Sequence, residues 1–85
     1  MNRYVVEVRI TPREGLLDPE GKAVHNALRS LDFGEVQDVR VGRLVRVELT
    51  APTVEEAFAR ADAMCRQLLA NPVTEDYEID IDTIS

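Results

Sequence analysis

The run "VRVGRLVRVELTA" (Val39–Ala51) restricts the possible folds more than any other stretch of the chain. Val39, Val41, Val45, Val47, Leu49 and Ala51 keep one parity, broken only by Arg43. Successive side chains of a strand point to opposite faces, so one parity means one face. A hairpin turning on Gly42 and Arg43 would pair Val41 with Leu44 and Val39 with Arg46. Directly paired residues share a face, so Val39 and Val41 would then oppose Val45, Val47 and Leu49. Parity favours one long strand, kinked at Gly42. At strand rise it would span roughly 40 Å, more than a domain of this size covers alone. Its uncovered N–H and C=O groups invite a strand from a two-fold partner, so a homodimer or higher homo-oligomer is expected. The two topologies are linked, because straightening the Gly42 hairpin of a monomer gives a dimer that exchanges halves.

The remaining elements carry clearer signals. In "RYVVEVRI", Tyr4, Val6, Val8 and Ile10 take one face and Val5, Glu7 and Arg9 the other, predicting a half-buried strand that ends in a turn over Thr11–Gly15. Asp18, Pro19 and Glu20 read as an N-cap, a first helical residue and an acid suited to the helix dipole. Ala23, Val24, Ala27, Leu28 and Leu31 then form an apolar stripe, with Gly34 closing the helix or the turn after it. Thr53 and Glu56 form a capping box for a second helix. Its stripe is Val54, Ala57, Phe58, Ala61, Met64, Cys65, Leu68 and Leu69, and Asn71–Pro72 stops it. "EDYEIDIDTI" alternates Tyr77, Ile79 and Ile81 inward against Asp76, Glu78, Asp80 and Asp82 outward.

The order is β-α-β-α-β, or β-α-β-β-α-β if the hairpin forms, which is the ferredoxin-like arrangement. The expected fold class is α+β: a single domain over residues 1–85, a small two-layer sandwich with an antiparallel or mixed sheet and two helices on one face.

The chain has 85 residues, 16 acids against 10 bases, and no tryptophan. A net charge of -6 repels phosphate backbones and anionic lipid, so nucleic acid and membrane are not expected partners. The lone Cys65 rules out an internal disulfide and a cysteine-based zinc site. "MNRYVVEVRI" is too short and too charged for a signal peptide, and no segment is long enough to cross a bilayer. The expectation is a soluble, cytoplasmic protein.

Chemistry is hard to find. Lysine and glycine at a helix mouth, as in "LLDPEGKAV", can cradle phosphate. Here Asp18 would occupy the free N–H donors and Glu20 would repel the anion, and neither GxxxxGK[ST] nor GxGxxG occurs. Gly21 is left unexplained by the cap, and a close approach by another backbone or another chain would account for it. His25 has no second histidine or cysteine to share a metal, and Cys65 lies on the apolar stripe. The acids of the last strand could bind a hard cation but read better as a solvated or partner-facing strand face. Arg40, Arg43 and Arg46 could bind an anion but more naturally pair with those acids across the sheet. No metal, cofactor or catalytic site is expected, and the residues describe an interaction module.

"GLLDPEGKAVHNAL", "VRVGRLVRVEL" and "LLANPVTEDYEI", in this order and a chain of this length, resemble the PurS family, the small subunit of phosphoribosylformylglycinamidine synthase. Thr74 departs from the pattern, where an apolar residue is expected. The resemblance implies a subunit of an ATP-dependent carbon–nitrogen ligase with glutamine as amido donor, acting in de novo purine synthesis. That complex converts formylglycinamide ribonucleotide to formylglycinamidine ribonucleotide. A glutaminase subunit releases ammonia, and a large synthetase subunit holds ATP and performs the amidation. The implied role of the small subunit is assembly of the other two, with a share in ammonia transfer as a further expectation. ATP, Mg and glutamine would belong to the partners. Asp18, Pro19, Gly21, Gly42, Asn71, Pro72 and Asp76 are the motif and candidate partner-interface positions. A stand-alone ferredoxin-like module binding a small regulatory molecule is the alternative, and would gain stability from its ligand without a protein partner.

Overall fold

The computed structural model describes residues 1–14 and 18–84, with side chains described as far as residue 82. Of the turn expected over Thr11–Gly15, Thr11 and Pro12 instead complete the first strand by pairing with Asp76 and Glu75, and Gly15 lies outside the described residues. The elements are β1 (Asn2–Pro12), α1 (Pro19–Ser30), β2 (Arg43–Ala51), α2 (Val54–Met64), a π-helical turn (Cys65–Leu69) and β3 (Glu75–Ile84). The sheet is antiparallel in the order β2-β1-β3. β2 and β3 are thus parallel to each other with β1 between them, joined by α2. This is the split βαβ unit of ferredoxin-like folds.

The period-two reading of β1 sets the core. Val8 lies between Val45 and Ile79, Val6 between Val47 and Ile81, and Ile10 between Arg43 and Tyr77. Val6, Val8 and Ile10 are buried, as is Tyr4. The other face carries the expected charges, with Glu7 between Arg46 and Asp80. Arg9 bonds both Glu78 and Asp80 there. α2 reaches the sheet through small residues, Ala57, Ala61 and Cys65, each 1% exposed or less. Their spacing of four makes a narrow ridge that lets the helix lie close to the strands.

Two expectations change. β2 begins at Arg43, so the stretch 39–51 is neither one strand nor a hairpin. Gly42 passes so near the Ile10 carbonyl that any Cβ there would collide with it, and residues 36–42 turn away to follow α1. α2 alone lies on the sheet, whereas both helices were expected there. α1 supplies nothing to either core cluster, and Gly21 is its one buried residue. The reason is that α1 packs on its own return segment. His25 Nε2 lies 3.1 Å from the Val36 carbonyl, and the Val41 amide donates to Asp18 Oδ2 at 3.1 Å.

Residues 18–41 therefore form an arm. The molecule measures 51 × 27 × 14 Å with a radius of gyration of 16.4 Å. A compact chain of this length would have about 12 Å. The arm turns at Leu31, where Asp32 has φ 71°. The Phe33 amide donates to the Leu28 carbonyl and the Asp32 amide to the Arg29 carbonyl, a Schellman motif with Asp32 in the left-handed position. Gly34 was expected to close the helix or the turn after it; the helix closes before it, and Gly34 falls in the following turn, where the Val36 amide donates to the Phe33 carbonyl.

Candidate functional site

The motif residues fall into two structures at one end of the sheet. The first is the root of the arm. Pro19 opens α1 with its fixed φ, and Asp18 precedes it as cap. One Asp18 oxygen accepts from the Gly21 amide at 3.0 Å and the other from the Val41 amide at 3.1 Å. Both oxygens thus sit where an incoming phosphate would have to go, and the glycine–lysine pair marks a capped helix start. Gly21 is also explained. A Cβ there would collide with the Asp18 carboxylate and with the Val39 carbonyl, so the close approach is made by this chain's own return segment.

The second structure is the turn that joins α2 to β3. The helix widens over Cys65–Leu69, and the Ala70 amide closes it by donating to the Cys65 carbonyl at 3.0 Å. Asn71 then organises the turn. Its side-chain oxygen accepts from the Val73 amide at 2.9 Å, and its carbonyl accepts from the Thr74 and Glu75 amides. Thr74 suits this exposed turn, its own carbonyl accepting from the Arg13 amide at 2.9 Å. Arg13 also donates to the Pro72 carbonyl and pairs with Asp76 at 3.1 Å.

Arg43, the first β2 residue after Gly42, clasps the second structure. It is the one charge on the inward parity of β2, and it uses that position to reach the Leu69 carbonyl and both oxygens of Glu75. Glu75 also accepts from the Asn71 amide at 2.8 Å. These bonds, Arg43 first and the Asn71 amide next, hold the Glu75 carboxyl below its ordinary range. Gly42, Asn71, Pro72 and Asp76 are thus brought to the same end, while Asp18, Pro19 and Gly21 organise the arm just beyond. Sequence reasoning assigned Arg43 to pairing with the last strand's acids. Its real partner, Glu75, opens that strand.

The Tyr77–Asp62–Arg66 set and an apolar groove beside α2 were not singled out by sequence reasoning. Tyr77 donates to Asp62, which also pairs with Arg66 at 3.0 Å, and this hydrogen bond, followed by burial, pushes the Tyr77 phenol up. Burial first, then the Asp62 charge, pushes the Cys65 thiol up, so the sulfur behaves as core. At the opposite end of α2, Val54, Phe58, Ile79 and Ile81 line an open apolar groove of about 360 Å³. Among the described residues no group of three or more His, Cys, Asp or Glu is placed to hold a metal ion, and no helix is long and apolar enough to cross a membrane.

The family model of PurS, phosphoribosylformylglycinamidine (FGAM) synthase, matches residues 5–83. This chain belongs to the PurS family. The phosphoribosylformylglycinamidine synthase subunit PurS of Bacillus subtilis (strain 168) is 39% identical over 85 residues, which cover 95% of each protein. That of Archaeoglobus fulgidus is 41% identical over 75 residues, covering 88% of this chain and 94% of its relative. PurS from Thermus thermophilus superposes with a TM-score of 0.85 at 37% identity, over 98% of this chain and 99% of that one. A chain in the structure of PurLQS from Thermotoga maritima gives a TM-score of 0.87 at 28% identity, over 96% of this chain and all of that one. The PurS fold therefore includes the arm as well as the sheet, since these superpositions cover nearly every residue.

Proposed function

We propose that this chain is a non-catalytic assembly subunit of phosphoribosylformylglycinamidine synthase, working as a homodimer or higher homo-oligomer. The observation that carries this reading is full-length likeness, in sequence and shape, to PurS proteins and to a chain of a PurLQS assembly. In this role the chain brings the synthetase and glutaminase subunits together, so that ammonia released from glutamine reaches the ATP-dependent amidation of formylglycinamide ribonucleotide. ATP, Mg and glutamine are handled by those partners in the cytoplasm. The chain's own polar groups fit this division of labour. Asp18, Arg43, Glu75 and Asn71 are engaged in holding backbone, while aliphatic side chains such as Leu68 (83% exposed) and Val73 (72%) face outward from the rigid turn.

Reconstitution tests the reading. The isolated chain should hydrolyse neither ATP nor glutamine, and adding it to its synthetase and glutaminase should restore glutamine-dependent amidation. Equal activity of those two without it would overturn the assignment. A rise in melting temperature with a small regulatory ligand and no protein partner would favour the stand-alone module instead.

A further inference from the structure

The turn that joins α2 to β3 uses its polar groups to hold itself, and what it shows to solvent is aliphatic. The stripe expected for α2 included Leu68. Because the helix widens over Cys65–Leu69, the buried positions step from Cys65 to Ala70, and Leu68 is carried outward. Val73 is exposed just beyond Pro72, on a backbone pinned by Asn71, Arg13 and Arg43. A surface held in this way has little freedom left to lose on binding. The charges around the turn are sorted by depth. The Arg43 and Arg66 side chains are 52% and 64% exposed, whereas Glu75 and Asp62, the acids they meet, are 19% and 30% exposed. Arg13 adds a third guanidinium, paired with an exposed Asp76. Guanidinium groups thus edge the turn in a chain whose net charge is -6. On the open sheet face the order is reversed, with Glu78 more exposed than the Arg9 it pairs with.

We infer that this turn docks a partner subunit of the synthase that offers an apolar socket rimmed by carboxylates. Leu68 and Val73 fill the socket. Arg66, which meets Asp62 through one terminal nitrogen, and Arg13 keep N–H donors for the rim. The inference rests on the assembly role proposed above and adds where the contact is made and what chemistry meets it. A second copy of this chain does not fit. Set against itself in a two-fold pair, the guanidinium edge is repulsive. Seated on the acidic β3 face of another copy, the turn would repeat from copy to copy as a head-to-tail chain rather than close a pair. A foreign surface with an acidic rim meets the aliphatic centre and the arginine edge together, which is the usual anatomy of a specific contact.

Calorimetric titration of the synthetase and of the glutaminase with this chain tests the inference, alongside the chain concentration that gives half-maximal amidation. Leu68→Glu and Val73→Glu, both at exposed positions, should each raise the dissociation constant for one of the two subunits at least tenfold. The half-maximal concentration should rise in proportion. Leu68→Lys should cost less than Leu68→Glu, because the rim it meets is acidic. Arg66→Gln leaves both aliphatic side chains in place and should flatten the fall of affinity with salt. Melting temperature and sedimentation of each variant should match the wild type, which separates lost docking from lost folding. Wild-type affinity of both Glu variants for both subunits would overturn the docking surface and leave the assembly role standing. Equal losses from Leu68→Lys and Leu68→Glu, with a salt dependence that Arg66→Gln does not change, would overturn the acidic socket. A wild-type chain that binds neither subunit and does not stimulate amidation would overturn the assembly role as well.

Discussion

α1 and α2 look alike in sequence, each an amphipathic helix with a good cap, but they have opposite fates in the fold. α2 presents Ala57, Ala61 and Cys65 to the sheet and buries all three. α1 presents larger side chains, of which Leu28 is half-buried and Val24 and Leu31 are exposed. The difference lies in the connections as much as in the stripes. α2 is bound to both neighbouring strands by Arg43, Glu75 and the Asn71 turn. α1 is bound by Asp18, Gly21 and His25 to a segment that leaves the sheet with it. An apolar stripe shows that a helix has something to cover, and the hydrogen bonds at its ends decide what it can reach.

The largest expected effect separates the two regions directly. Ile10→Ala should destabilise the chain by about 2–5 kcal/mol in denaturant unfolding, since Ile10 is fully buried between β2 and β3. Leu31→Ala should act instead through the concentration dependence of the midpoint, because the isolated arm leaves Leu31 in solvent. Equal, concentration-independent losses would mean that the arm belongs to the same core.

Within the arm, Gly21→Ala should be costly, about 1–3 kcal/mol of strain as Val39 and Asp18 are pushed apart. The damage should show as faster amide exchange at Val41, whose donor bond to Asp18 would break. Gly34→Ala meets no atom within 4 Å and should be neutral or stabilising by about 0.4–1 kcal/mol. A reversed ranking would remove the close approach as the reason for Gly21.

Much of this was legible in the chain. The parity of β1 and β3 and both caps follow from local spacing and hydrogen-bond demand; of the stripe expected for α2, Ala57, Ala61 and Cys65 are buried while Val54, Phe58 and Leu68 are exposed. The parity of residues 39–51 misled because it holds just as well for a strand that starts at Arg43 after an extended segment bound elsewhere. Nothing in the spacing of Val39 and Val41 says that the Val41 amide is held by Asp18. Gly34 does not end the helix itself, since Asp32 takes the left-handed position that glycine usually fills, and it falls instead in the turn that follows. The reach of Arg43 to Leu69 and Glu75 depends on where the helix ends, and the π-helical turn there has no sequence signal. Even so, one charge on an apolar parity marked the position that clasps the turn between α2 and β3.

The smallest effect is the pH dependence of the clasp. Glu75 has its carboxyl lowered by Arg43 and the Asn71 amide. Its contribution to stability is present above the unfolded carboxylate value of about 4.3 and is lost as pH falls through the lower folded value. Glu75→Gln should flatten the acid limb of the stability profile and leave the arm's exchange rates unchanged. An unchanged acid limb would mean that Glu75 does not hold this end of the sheet.

Hydrogen–deuterium exchange measured at several protein concentrations tests most directly whether the sheet and the arm are stabilised separately. Amides of β1 and α2 should keep their protection upon dilution in the range where dimers dissociate. Amides of α1 from Ala23 to Ser30 should lose protection over that range, because α1 adds nothing to either core cluster of its own chain. If α1 stays as protected as α2 at every concentration, the arm is stable within its own chain and the account fails.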